Sequence, residues 1–154
     1  MIGLIIAVIL LNTVAFITVK RLTKNQIVHM WTFTVLFQLI VDLYLGTKYN
    51  AYWYFSDSEI EWSDLPVRII LTPPFILMFL NFFPFRTSFL KRFLYIVFWS
   101  IVCVIYEALA LLPEPWGYFH YGWWKLVYSV PIYPILLIIE LAFYKWICKL
   151  EKAL

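Results

Sequence analysis

Five apolar stretches, each 18 to 21 residues long, leave this chain few folds to choose from. They cover residues 2–19, 28–46, 67–84, 93–112 and 126–146. A helix of that length rises ~30 Å at ~1.5 Å per residue, the thickness of a bilayer's hydrocarbon core. The expectation is an all-α integral membrane protein of five transmembrane helices, forming one bundle over residues 1–154. Composition agrees: 64% of residues are hydrophobic and 14% charged, against ~25% charged in soluble domains. The longest loop, residues 47–66, is too short for a stable extramembrane domain without disulfides or metal. Any function must therefore lie in the bundle or on its rims.

Charge sets the expected orientation. Lys20, Arg21, Lys24, Arg86, Lys91, Arg92, Lys145, Lys149 and Lys152 fall on one side of the five spans. Only Lys48, Arg68 and Lys125 fall on the other. The positive-inside rule then places the C-terminus in the cytoplasm and the N-terminus outside. The acids divide the opposite way, with Asp57, Glu59, Glu61, Asp64 and Glu114 outside and Glu151 inside. The first stretch reads as a retained span and not as a cleaved signal peptide. It has no basic n-region and no small-residue cleavage site, and its positive charges follow the apolar run.

Helix ends carry their own signals. Ser63 or Asp64 can cap the third helix, with Pro66 in its first turn. Pro73 and Pro74 fall inside that span and are expected to kink it, as Pro131 and Pro134 are near the outer end of the fifth.

Aromatic side chains crowd the outer loops. Tyr49, Tyr52, Trp53, Tyr54, Phe55 and Trp62 occupy the first. Trp116, Tyr118, His120, Tyr121, Trp123 and Trp124 occupy the second, with Phe119 among them. Two readings stand: an interfacial belt, or an outer platform that receives a lipid headgroup, a glycan or a partner helix.

The ionisable residues within the spans are the candidates for chemistry. Asp42, Arg68 and Glu107 share the same outer depth, so an intramembrane ionic cluster is expected there, with Lys48 and His120 close by. Glu140, a second intramembrane carboxylate, lies deeper, with Lys145 as the nearest cation in sequence. A charge in hydrocarbon costs ~2.5–3.5 kcal/mol on insertion scales and normally finds a partner inside the bundle. These groups are either structural staples or an ion or proton path. Asn12, Gln38, Asn81 and Ser100 add neutral hydrogen-bonding groups between helices.

Other chemistry is not signalled. Cys103 and Cys148 fall at different depths, so no disulfide is expected. His29 and His120 have no companions at ligand spacing, which speaks against a metal site. No catalytic set, glycine-rich phosphate loop or cofactor motif is legible, and the charge distribution speaks against a nucleic-acid partner.

Three aromatic runs carry a resemblance. Phe79-Leu80-Asn81-Phe82-Phe83-Pro84-Phe85, Tyr121-Gly122-Trp123-Trp124-Lys125-Leu126, and Tyr133-Pro134 ahead of Phe143-Tyr144-Lys145-Trp146 resemble a family of small multi-span membrane proteins of spore-forming, low-GC Gram-positive bacteria. No activity is assigned to that family. The resemblance implies a bacterial plasma membrane and carries no functional residue across.

The expected function is that of a small non-enzymatic multi-pass protein of the cell membrane. It would bind or stabilise a lipid, a membrane-protein partner or a second copy of itself, in an envelope or sporulation process. The alternative is a transporter or channel subunit whose carboxylates carry protons or cations. An intramembrane lipid-modifying enzyme built on Glu107 and His120 ranks last.

Overall fold

The computed structural model describes residues 2–55 and 65–153, and these are mostly helical, in five helices. Helix α1 spans Ile2–Thr18, α2 Lys24–Val41, α3 Thr72–Phe82, α4 Phe89–Ala110 and α5 Leu126–Glu151. Three helical runs are long and apolar enough to cross a membrane: Lys24–Lys48, Phe89–Ala110 and Leu126–Glu151. Two more, Ile2–Thr18 and Pro66–Phe82, are apolar but shorter.

Two of the helices change pitch at the same end of the bundle. Helix α2 continues beyond Val41 as a π-helix over Asp42–Lys48, and a second π-helix, Pro66–Leu71, leads into α3. Pro73 and Pro74 stand where π gives way to α geometry, in the first turn of α3. There their missing N–H groups cost little, because the first turn has unpaired donors anyway. The candidate caps Ser63 and Asp64 lie outside the described residues, as do Asp57, Glu59, Glu61 and Trp62. Pro131 and Pro134 lie within α5, which remains one helix through them.

The all-helical expectation misses one element. Strand β1, Tyr52–Tyr54, pairs antiparallel with strand β2, Phe119–Tyr121. The register sets Tyr52 opposite Tyr121, Trp53 opposite His120 and Tyr54 opposite Phe119. Side chains alternate across a sheet, so Tyr52, Tyr54, Phe119 and Tyr121 share one face. Trp53 and His120 share the other and stack at 6.3 Å. Backbone bonds extend the pairing, from Phe55 N–H to Tyr118 O at 2.8 Å and from Gly122 N–H to Ala51 O at 2.9 Å. The approach is close at Gly122, where a Cβ would sit 2.1 Å from Asn50 O. The sheet lies across one end of the bundle as a lid.

Two apolar clusters hold the structure. The one beneath the lid includes Leu4, Ala51, Val67, Leu71, Ala110 and Trp124. The other fills the far half with Met30, Phe79, Leu80, Phe83, Leu141 and Tyr144. With four glycines in the whole chain, close backbone approach is not the main packing device. Rings interlock instead: Phe33 stacks on Phe143 with centroids 3.8 Å apart, and Phe75 meets Trp99 edge-on at 4.8 Å. In lipid such contacts matter because burial away from water no longer drives helices together.

Polar side chains fasten the far end. The buried Asn81 of α3 accepts from Lys20 N–H at 3.1 Å and Arg21 N–H at 2.9 Å, and donates to Thr18 O at 3.1 Å. Thr23 and Gln26 form a reciprocal capping box at the start of α2. Glu151, near the end of α5, accepts from Thr23 Oγ1 and Asn25 Nδ2 at 2.9 Å each, and from Gln26 Nε2. A carboxylate at a helix N-terminus also meets the positive end of its dipole.

Candidate functional site

Below the lid the helices part around a cavity of about 330 Å³, within the ~300–1,000 Å³ of small-molecule sites. Its wall includes Leu11, Phe37, Val41, Phe75, Val102 and Leu136, so most of it is apolar. Asp42, Glu107 and Glu140 all reach it. Each is buried, with relative exposures of 2%, 5% and 3%.

Asp42 opens the π-helical extension of α2. Its Oδ1 accepts from the Tyr52 hydroxyl at 2.7 Å and its Oδ2 from Tyr54 at 3.5 Å, so both inward tyrosines of β1 reach this one carboxylate. Arg68, in the second π-helix, brings its Nε to 3.6 Å from Asp42 Oδ2. The guanidinium also sits 5.3 Å from the Tyr54 ring centre. Arg68 is itself buried but does not line the cavity; it lies behind Asp42. Local π geometry is frequent at functional sites, and here both π segments contribute to one ion pair.

Glu107 of α4 is held by neutral groups. Its Oε1 accepts from Tyr121 at 2.5 Å and Ser129 at 2.8 Å, and its Oε2 from Tyr133 at 2.7 Å. Trp124 Nε1 donates to Ser129 Oγ at 2.9 Å, which fixes that hydroxyl as a donor to Glu107. Tyr121 comes from the lid, while Ser129 and Tyr133 come from α5. Of the three residues grouped by depth, the structure pairs Asp42 with Arg68 and gives Glu107 a set of hydroxyls.

Glu140 lies on the floor. Among the described residues it takes one hydrogen bond, from Thr34 Oγ1 of α2 at 3.1 Å. Thr34 is eight residues before Asp42, so this contact lies about 12 Å deeper at ~1.5 Å per residue. Gln38 lines the wall between them, and its buried Oε1 has no hydrogen-bond partner among the described residues. Leu141, next to Glu140, and Met30 and Tyr144, one turn beyond the floor, belong to the far apolar cluster. The cavity is thus roofed by the sheet and stopped below by packed side chains.

The six aromatic-loop residues do not form a single outward face. Tyr118 and Trp124 are buried, and the Tyr121 hydroxyl points to Glu107. Trp116 and Trp123 are exposed, at 56% and 54%. His120 stacks on Trp53 on the outer side of the sheet. Tyr118 shares a 2.5 Å hydroxyl contact with Tyr106. Burial, followed by the phenol of Tyr106, pushes the Tyr118 hydroxyl well above the ordinary phenol range, so it remains protonated. Lys48 lies 5.3 Å from the ring centres of both Tyr44 and Tyr49.

No cluster of three His, Cys, Asp or Glu side chains suited to a metal ion exists among the described residues. The arrangement suits recognition: fixed acceptors set into an apolar, ring-lined chamber. Sequence reasoning missed Tyr52, Tyr54, Ser129 and Tyr133 as carboxylate partners. The signal for the tyrosines was their period-two spacing in the loop. For Ser129 and Tyr133 it was their placement one helical turn apart on α5.

No family model, no curated protein and no solved structure matches this chain.

Proposed function

We propose that the chain is a non-enzymatic five-span protein of a bacterial plasma membrane, N-terminus outside, that binds a lipid-like small molecule in the cavity under its lid. One observation carries this reading: an apolar chamber of about 330 Å³ into which three buried carboxylates are fixed by hydroxyl donors. Five spans are supported by the two shorter apolar helices, since α1 has 17 residues and ~17 is the short limit for crossing. Their lipid-facing character agrees, with Ile9, Phe16 and Ile17 strongly exposed on α1. The orientation is supported by the gathering of nine cationic residues at the end opposite the lid. With that orientation the lid faces outward, and the ligand comes from the outer leaflet.

The test is native mass spectrometry of the full chain released from membranes in mild detergent. The wild-type protein is expected to retain a small molecule that Val102→Phe, which fills the cavity wall, releases. Equal retention by both proteins, or none by the wild type, would remove the cavity as a ligand site.

A proton or cation path is the second reading, favoured by the fact that Asp42, Glu107 and Glu140 line one cavity. The packed far cluster weighs against it. Proteoliposomes containing a pH-sensitive dye distinguish the two: conduction requires flux that Glu140→Gln abolishes.

A further inference from the structure

We propose that the cavity selects a lipophilic organic cation, a molecule with an aromatic or hydrocarbon body and a positive charge that needs no metal-like coordination. This rests on the reading of the cavity as a ligand site and adds the sign of the ligand's charge.

Three independent observations lead there. The first is charge. The cavity wall carries the carboxylates of Asp42, Glu107 and Glu140 and, among the described residues, no Lys, Arg or His. Arg68 touches Asp42 from behind, so one guanidinium stands against three acids. A buried charge is costly unless an opposite charge compensates it, and a cation in the cavity would supply that opposite charge at the wall.

The second is the surrounding rings. Tyr52, Tyr54, Phe75, Tyr106, Phe119 and Tyr133 all line the cavity. Their faces carry partial negative charge, and cages of such rings recognise quaternary ammonium groups. Arg68 over Tyr54 already shows one cation held in this way at the cavity's edge.

The third is uncovered oxygen at the floor, which attracts a positive charge whether or not the ligand carries an N–H. A carboxylate offers about four lone-pair sites, and among the described residues Glu140 uses one of them, for Thr34. The buried Gln38 Oε1, on the same wall, uses none among the described residues. Other ligand classes fit less well. An anion would meet three carboxylates. A bare metal ion finds no set of three ligands among the described residues.

Tetraphenylphosphonium and tetraphenylborate share shape and size but carry opposite charge. Their binding to the full chain in lipid nanodiscs can be measured calorimetrically, each corrected by protein-free nanodiscs. The expected result is one saturable phosphonium site and no comparable borate site. Glu140→Gln should weaken phosphonium binding on the order of 30-fold, the low end for losing one partner of a buried charge pair. Val102→Phe should remove the site. The wild-type comparison needs no variant, so a misfolded mutant does not spoil the test. Equal or stronger saturable binding of the borate would overturn the charge assignment, while a small molecule still released by Val102→Phe would leave the cavity standing as a lipid site. Phosphonium binding that survives unchanged in both folded variants would place the cation elsewhere and overturn the proposal too.

Discussion

Tyr121 donates its hydroxyl to Glu107 over 2.5 Å, joining the second strand of the lid to the lid-side end of the α4–α5 pair. Because Ser129 and Tyr133 donate to the same carboxylate, the two ends of this contact are not equivalent. Removing Tyr121's hydroxyl leaves Glu107 with two donors. Removing the carboxylate leaves three hydroxyls without an acceptor. Tyr121→Phe is therefore expected to cost about 0.6 kcal/mol, the average for hydrogen bonds within membrane bundles, and at most ~1.7 kcal/mol. Glu107→Leu should cost more, since each buried polar group left unpaired costs ~1–3 kcal/mol. Reversible unfolding in mixed micelles, followed by circular dichroism, ranks the two; the opposite order would remove Glu107 as the organising acceptor.

The Arg68–Asp42 pair gives a second ranking. Both side chains are buried, and breaking a buried pair from one side costs ~3–5 kcal/mol because the other charge remains. Arg68→Leu should be strongly destabilising, and adding Asp42→Asn should recover part of the loss, since Asn keeps an acceptor for Tyr52. A double variant less stable than Arg68→Leu would mean that Asp42 answers mainly to the tyrosines.

Gly122 tests the lid itself. An alanine Cβ there would meet Asn50 O at 2.1 Å, a backbone atom that cannot swing aside. Gly122→Ala should loosen β1 from β2 and raise amide hydrogen exchange at Phe55 and at position 122 while the far cluster keeps its protection. Gly46→Ala, with its nearest atom at 3.4 Å, serves as the tolerated control. Unchanged exchange in Gly122→Ala would show that the strands can separate without penalty.

Orientation is checked by labelling. In a background lacking Cys103 and Cys148, a cysteine at Glu114 should react with an impermeant reagent in intact cells. Cysteines at Lys24 and Ser88 should react only after permeabilisation. The reverse pattern would invert the proposed topology and turn the lid toward the cytoplasm.

What the sequence makes legible follows from range. Hydropathy over 18 to 21 residues is a local property, and the helices fall where the apolar stretches fall. Depth is also local, which is why Asp42 and Arg68 could be matched. Rotation about each helix axis is not: whether Glu107 looks toward Arg68 or toward Ser129 and Tyr133 depends on how α4 and α5 pack. The strands were illegible because three residues make too short a pattern, and their partners lie more than sixty positions apart. The capping box at Thr23 and Gln26 could have been read directly, since Thr followed three residues later by Gln is its signature. The π-helical stretches at Asp42 and Pro66 left no trace in composition.

Asn81 has a consequence in the order of events. The turn between α1 and α2 presents the N–H groups of Lys20 and Arg21 to a side chain 61 and 60 residues further along the chain. As the ribosome proceeds from the first residue to the last, that turn emerges long before the carboxamide that completes it. The first helical hairpin is thus an unfinished joint until α3 arrives, and the third helix enters as the clasp that fixes the first two.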